Sequence, residues 1–195
     1  MLGRMAYALR KTSLVAALLV ATLAAPSLAE AHDRPLYAGF GGGPHVDLDC
    51  CRVHGRLQGE FGIHFSRDDR GFFLAFEAIN TFGDDFYMFL GGVRFGGDIE
   101  VYGRHDYGIM LRPSVLVGFG WRDYNGPYNG WGDWGVFVVQ PAFDLRFVFA
   151  HRVLALWLRP ASFDFNVYLD RYRPNRELWW GVGYQFMLGL DFQFG

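Results

Sequence analysis

The sequence predicts an all-β chain, an eight-stranded antiparallel up-and-down transmembrane β-barrel, and three observations carry that prediction. Period-two alternation of apolar and small or polar residues recurs in eight segments separated by Gly, Asp and Asn clusters. No segment carries a sustained helical stripe. The connections alternate between tight turns near Ser66–Gly71, Gly103–Asp106 and Ala150–Arg152 and longer loops at Pro44–Val53, Phe82–Phe86, Asp123–Trp134 and Asp170–Glu177. That alternation is expected when both termini lie at one end of a barrel.

The segments follow in order after a leader. Residues 1–31 run from a basic start (Arg4, Arg10, Lys11) through the apolar stretch SLVAALLVATLAA to Pro26 and small-residue cleavage patterns ending at Ala29 or Ala31. This reads as a secretory signal peptide, its apolar run of about 13 residues being too short to span a bilayer as a helix. The barrel domain is then 32–195. LYAGFGGG opens it. RLQGEFGIHF sets Leu57, Phe61, Ile63 and Phe65 against Arg56, Gln58, Glu60 and His64, and GFFLAFEAIN sets Phe72, Leu74, Phe76 and Ala78 against Glu77. FYMFLGGVRFGGDIEVY opposes Phe89, Val93, Phe95, Ile99 and Val101 to Arg94, Asp98 and Glu100. GIMLRPSVLVGFGWR opposes Ile109 to Trp121 on odd positions to Arg112, Ser114 and several glycines, and VFVVQPAFDLRFVF opposes Phe137 to Phe149 to Gln140, Asp144 and Arg146. In VLALWLRPASFDFNVYL the parity shifts, Leu154, Leu156 and Leu158 on one side and Phe163, Phe165 and Val167 on the other. A bulge near Pro160 would restore the register. LWWGVGYQFMLGLDFQF, the clearest strand, puts Leu178 to Phe194 on one face and Gly181, Gly183, Gln185, Gly189, Asp191 and Gln193 on the other.

Alternation alone fits a soluble barrel of lipocalin or avidin type as well as one facing lipid. The composition of the minor face decides. A water-facing side would carry Lys, Glu and Thr, whereas this face is largely glycine with a few Arg, Glu, Asp and Gln, and the only lysine of the chain is Lys11 in the leader. The apolar face carries Trp121, Trp180 and Tyr184, read as interfacial aromatics. After cleavage at Ala31, 15 arginines stand against 19 carboxylates, a net charge of −4 that argues against a nucleic-acid partner. The expected surroundings are outer-membrane lipid.

On these strands, and on the aromatic-ended C-terminal segment GLDFQFG, the chain resembles the small eight-stranded outer-membrane barrels of Gram-negative bacteria, the OmpA-like and OmpW-like group, across Leu36 to Phe194. The resemblance is architectural, and the terminal Gly195 departs from the aromatic ending. It implies a bacterial outer-membrane location and recognition of the last strand by the barrel-assembly machinery; the OmpW-like side of it implies a small channel as the alternative to a structural or surface-interaction role.

Glu60, Glu77, Arg112 and Asp144 lie about five residues from the short-turn end of their strands and Arg159 about six. With Arg94 and Arg146 they are expected to form one charged layer that plugs the lumen. A paired structural network is favoured over a gate, because unpaired buried charge costs several kcal/mol. Ser162 with His45 or His54 and Asp164 has the residue types of a nucleophilic triad, but no local motif supports it. The reading is non-enzymatic, with no cofactor and no metal. Cys50 and Cys51 read as a surface-loop disulfide, with metal binding alongside Asp47, Asp49, His45 and His54 as the rival. The loop DYNGPYNGWGDW has a composition suited to contact with sugars or proteins, so the long loops are the expected place for a surface ligand.

Overall fold

A computed structural model describes residues 35–66, 69–83, 86–124, 134–169 and 178–194. The proposed leader, the 125–133 part of the Gly/Asn/Trp-rich loop and the 170–177 loop lie outside these residues. Eight strands follow one another: β1 (Leu36–Asp47), β2 (Arg52–His64), β3 (Gly71–Phe82), β4 (Phe86–Gly103), β5 (Gly108–Tyr124), β6 (Trp134–Phe149), β7 (Leu154–Leu169) and β8 (Leu178–Phe194). Each pairs antiparallel with its neighbour in sequence, and β1 closes on β8 with Leu36 opposite Phe194, so the sheet is a closed barrel without an edge.

The period-two pattern becomes an inside and an outside. Phe72, Phe76 and Trp180 are 77%, 66% and 76% exposed on the outer wall, and Trp121, Phe95, Phe119 and Leu188 also face out. Arg56, Arg94, Arg112, Arg146 and Arg159 are each no more than 1% exposed on the inner wall. The barrel is thus apolar outside and charged inside.

The parity shift in β7 is where the sequence places it: the β7–β8 register slips between Arg159 and Ser162, and the β6–β7 register slips between Phe143 and Leu145. Pro141 and Pro160 have no N–H to give to a ladder. Hydroxyl groups take up the neighbouring carbonyls, Ser162 Oγ donating to Pro141 O at 3.2 Å and Tyr184 Oη to Pro160 O at 2.6 Å. Tyr184, expected among the interfacial aromatics, thus also serves the bulge. A further shift between Glu100 and Tyr102 of β4 has no counterpart in the alternation pattern.

Connection lengths depart from expectation. β1 and β2 stay paired from Pro44 opposite Gly55 to Asp47 opposite Arg52, which reduces the first loop to 48–51, and the β3–β4 connection is only 83–85. The opposite, termini-bearing end carries 65–70, 104–107 and 150–153. Only 125–133 and 170–177 are longer than these, so two of the four presumed long loops are turns. Pro44, which has no N–H to donate, stays in the strand opposite Gly55 of β2, and its β8 rung is skipped.

The inner face is glycine-rich because it is crowded. A Cβ at Gly41 or Gly189 would strike the indole of Trp157, which lies in the lumen between β1 and β8, and one at Gly39 would strike the Asp191 carboxylate. Gly189 has no room for a side chain.

The β6–β7 turn holds Ala150, His151 and Arg152 at φ 54°, 55° and 65°. A left-handed residue with a Cβ costs roughly 1–2 kcal/mol, and glycine in its place gives back about 0.5–1 in chain entropy. Ala150→Gly is therefore expected to stabilise the barrel by about 0.5–1 kcal/mol, read as a higher urea midpoint in detergent; a lowered midpoint would contradict the turn conformation.

Candidate functional site

Inward parity places polar side chains from all eight strands in the lumen, and their hydrogen bonds fall into two sets, one near the termini and one running from mid-barrel toward the other end. Nearest the termini, Asp98 of β4 is the hub. Arg112 Nε and Nη2 donate to its two oxygens at 2.8 and 2.7 Å, Arg146 Nη1 donates to Oδ2 at 2.9 Å, and His64 Nε2 lies 2.8 Å from the same oxygen. Arg146 also donates to Asp191 Oδ2 through Nε at 3.1 Å and Nη2 at 2.8 Å. The guanidinium carbon of Arg112 lies 4.8 and 4.2 Å from the ring centroids of Tyr37 and Phe73, and its Nη1 reaches Glu60 Oε1 at 3.5 Å.

Midway, two guanidinium–carboxylate forks stand side by side. Arg94 of β4 grips Glu77 of β3 through Nε to Oε1 and Nη2 to Oε2, and donates Nη1 to Ser114 Oγ at 3.0 Å. Arg159 of β7 grips Asp144 of β6 at 2.6 and 2.9 Å. Gln58 of β2 links the forks, donating Nε2 to Glu77 Oε1 at 3.0 Å and accepting Arg159 Nη1 at 2.9 Å.

Toward the other end, Gln140 accepts from Arg94 Nη2 and donates to Asp164 Oδ1 at 2.6 Å. Arg56 Nη1 donates to Asp164 Oδ2 and to Gln185 Oε1, and its Nε to Thr81 Oγ1 at 2.8 Å. One wall of this half is apolar: Ile79, Phe86, Met88, Leu90, Leu116, Val136 and Val138 pack together, with Tyr168 against them.

Glu60, Glu77, Arg94, Arg112, Asp144, Arg146 and Arg159, the residues expected in the lumen, all lie on the inner wall and are 0–7% exposed. They do not form one layer. Arg112 stands opposite Asp144 in the β5–β6 register, yet Asp144 is taken by Arg159, and the main partner of Arg112 is Asp98. In a sheared barrel, equal counts from the turn do not give equal heights. Parity alone puts Arg56, Asp98 and Asp191 on the inner face, and depth counting leaves them out. Asp164 is hidden by the β7 bulge, which moves it from the face of the leucines to the lumen.

The remaining expectations divide. Cys50 and Cys51 are both free and exposed, so no disulfide joins them. Adjacent residues sit about 3.8 Å apart across a trans peptide, short of the span of ordinary disulfides. Partial desolvation, then the hydrogen bond with the Asp47 carboxylate, pushes the Cys50 thiol up from its ordinary value. His45 Nε2 lies 3.2 Å from Asp164 Oδ2, at an angle that makes no hydrogen bond, while the Ser162 hydroxyl is spent on Pro141 O and accepts from Gln185 Nε2. Nothing among the described contacts joins Ser162 to a histidine. Among the described residues, no group of three or more His, Cys, Asp or Glu is arranged to hold a metal.

No family model matches the sequence and no curated protein matches it. Among solved structures, Neisserial surface protein A shares the fold with a TM-score of 0.51 at 8% identity, over 82% of this chain and 96% of that one. Ail, the attachment invasion locus protein of Yersinia pestis, aligns over 83% of this chain and 99% of its own with a TM-score of 0.45 at 11% identity. The expected architectural resemblance to small eight-stranded barrels stands at the level of the fold.

Removing one partner of a buried pair costs about 3–5 kcal/mol. In Arg112→Met, Asp98 keeps Arg146 and His64, so a loss of about 3 kcal/mol in unfolding free energy is expected, and adding Asp98→Asn should recover part of it. Strictly additive losses in the urea midpoints would mean that the two residues do not interact.

Proposed function

We propose that the chain is a bacterial outer-membrane barrel, exported through its N-terminal leader, that acts as a closed scaffold and presents its loop-bearing end to the surroundings without catalysing a reaction. The observation that carries this reading is the inverted polarity. A wall bearing Phe72, Phe76, Phe95, Phe119, Leu188 and Trp180 to the outside suits acyl chains, while five buried guanidinium groups inside demand enclosure. A closed β-barrel is the one sheet that leaves no unsatisfied edge in lipid. Neisserial surface protein A, of the same fold, is by its name a surface protein, in keeping with a surface role here.

Closure follows from the network. Each of Arg56, Arg94, Arg112, Arg146 and Arg159 bridges strands to a carboxylate, so a hydrated ion crossing the lumen would have to part several charge-assisted bonds at once. The non-enzymatic reading rests on Ser162, whose hydroxyl serves the Pro141 carbonyl. Outer-membrane lipid is the solvent of the outer wall, and the C-terminal strand, complete to Phe194 and paired to β1, offers the barrel-assembly machinery its aromatic-ended segment. A surface ligand would meet the end that carries 48–51, 83–85, 125–133 and 170–177.

In cell fractionation the protein should partition with outer membranes and migrate differently on unboiled and boiled gels. In planar bilayers the native barrel should carry almost no current. Glu77→Ala combined with Arg94→Ala, which removes one of the two middle forks without leaving either charge alone, should open measurable conductance. A native barrel that conducts as well as this variant would refute the closed scaffold. Leu188→Arg, which places a charge on the outer wall, should cost roughly 2–4 kcal/mol in bilayer refolding if it meets the midplane; full tolerance would refute the lipid-facing wall.

A further inference from the structure

We propose that the mouth of the lumen, at the end away from the termini, binds an oxyanion, a carboxylate or phosphate group, on Arg122. The five deeper lumenal arginines each have a carboxylate within 4.0 Å. Arg122, opposite Met88 on the inner wall of β5, has none among the described residues, and its Nε is buried without a hydrogen-bond partner. A buried donor with no acceptor carries its full desolvation cost, larger for a charged group.

The surroundings hold the group in place and leave its Nε without a partner. Its guanidinium carbon lies 4.7 Å from the Phe86 ring centroid and 4.9 Å from that of Tyr168, so aromatic rings hold the guanidinium in position. What such a clamp leaves for hydrogen bonding is the N–H edge, and a fork of donors fixed in this way matches the two oxygens of a carboxylate or phosphate. His54 continues the stack, its ring centroid 4.4 Å from that of Phe86, and carries a second unpartnered buried nitrogen, Nδ1, which faces Gly83. Among the described residues of this rim, Asp47 Oδ1 accepts from Asp49 N and Asp49 Oδ2 from Val182 N, both at 3.2 Å, and neither lies within 4.0 Å of the Arg122 guanidinium. Below the clamp, Met88, Leu90, Leu116, Val136 and Val138 are packed to 0–2% exposure. The ligand therefore docks by its anionic head at the mouth and sends no tail into the lumen. Its anion is either free in solution or the headgroup of a lipid.

The test uses the full folded chain in dodecyl maltoside micelles, titrated with inorganic phosphate at constant ionic strength, with the Arg122 Nε–H resonance and the 31P linewidth as readouts. A saturable shift of that resonance is expected, with 31P broadening weakened about tenfold or more in Arg122→Gln, the loss of one charge-assisted contact. Phe86→Leu, which keeps the charge and removes one ring of the clamp, should weaken binding less. A parallel arm places the barrel in nanodiscs with and without phosphatidate. A response to soluble phosphate supports a free anion, and a response only to phosphatidate supports a lipid headgroup. Equal broadening by the native chain and Arg122→Gln, or the same shift from sodium chloride alone, overturns the site. Heat-modifiable migration of each variant reports folding separately, and because the micelle arm needs no cellular location, failure here leaves the outer-membrane reading untouched.

Discussion

The constraint on which the rest of the structure depends is that charges enclosed in a lumen only as wide as its own side chains must find their partners within it. Moving an ion out of water costs several kcal/mol, recovered only by close and well-directed pairing. Asp98 meets this by taking two guanidinium groups and an imidazole, and Gln58 and Gln140 carry the pattern between pairs that are too far apart to touch. Arginine suits the task because one planar group can fork onto a carboxylate and still donate sideways, as Arg94 does to Glu77 and Ser114. An ammonium has no such fork, which accounts for a barrel sequence with many arginines and no lysine.

Long guanidinium groups need room, and the glycines supply it. Gly39 leaves space for Asp191, and Gly41 with Gly189 form the slot for Trp157, against whose ring Arg159 rests at 5.2 Å. The bulge in β7 belongs to the same arrangement. Without the slip between Arg159 and Ser162, either Arg159 or Asp164 would face outward, because an odd and an even position cannot both point into a regular strand's inner face. The bulge keeps Phe163 and Phe165 on the outer wall with Leu156 and lets both charges turn in. Its cost, broken rungs beside Pro141 and Pro160, is offset by hydroxyl groups from β7 and β8.

How much of this the sequence discloses follows from what period-two alternation can encode. Parity has only two values, and it assigns one face to Glu60, Glu77, Arg94, Arg112, Asp144 and Arg146, all buried, with Arg159 joining them through the bulge. Height along the barrel is set by shear, a property of all the strands together, so residues at equal depth in their own strands part company: Arg112 goes to Asp98 and Asp144 to Arg159. Loop length failed for a related reason. Pro44 and the polar residues around it look like a loop taken singly, yet β1 and β2 support each other as far as Asp47 and Arg52. Arg122 had the right parity, but nothing local distinguishes an arginine that finds a carboxylate from one that does not.

The lumen is also lined in two chemically different ways along its length. Toward the termini the obstruction is ionic, centred on Asp98, Arg112 and Arg146; toward the opposite end one wall is the apolar cluster from Ile79 to Val138 while Arg56 and Asp164 occupy the other. Buried polar atoms without a hydrogen-bond partner occur in both halves, from Tyr37 Oη and His64 Nδ1 near the termini to Arg56 Nη2, His54 Nδ1 and Arg122 Nε toward the other end, but of these arginines only Arg122 has no carboxylate within 4.0 Å among the described residues. Adjacent strands supply the partners of Arg94, Arg112 and Arg159, whereas Arg56 and Arg146 reach carboxylates on more distant strands, so pairing in this sheet is governed by register first and by reach across the lumen second.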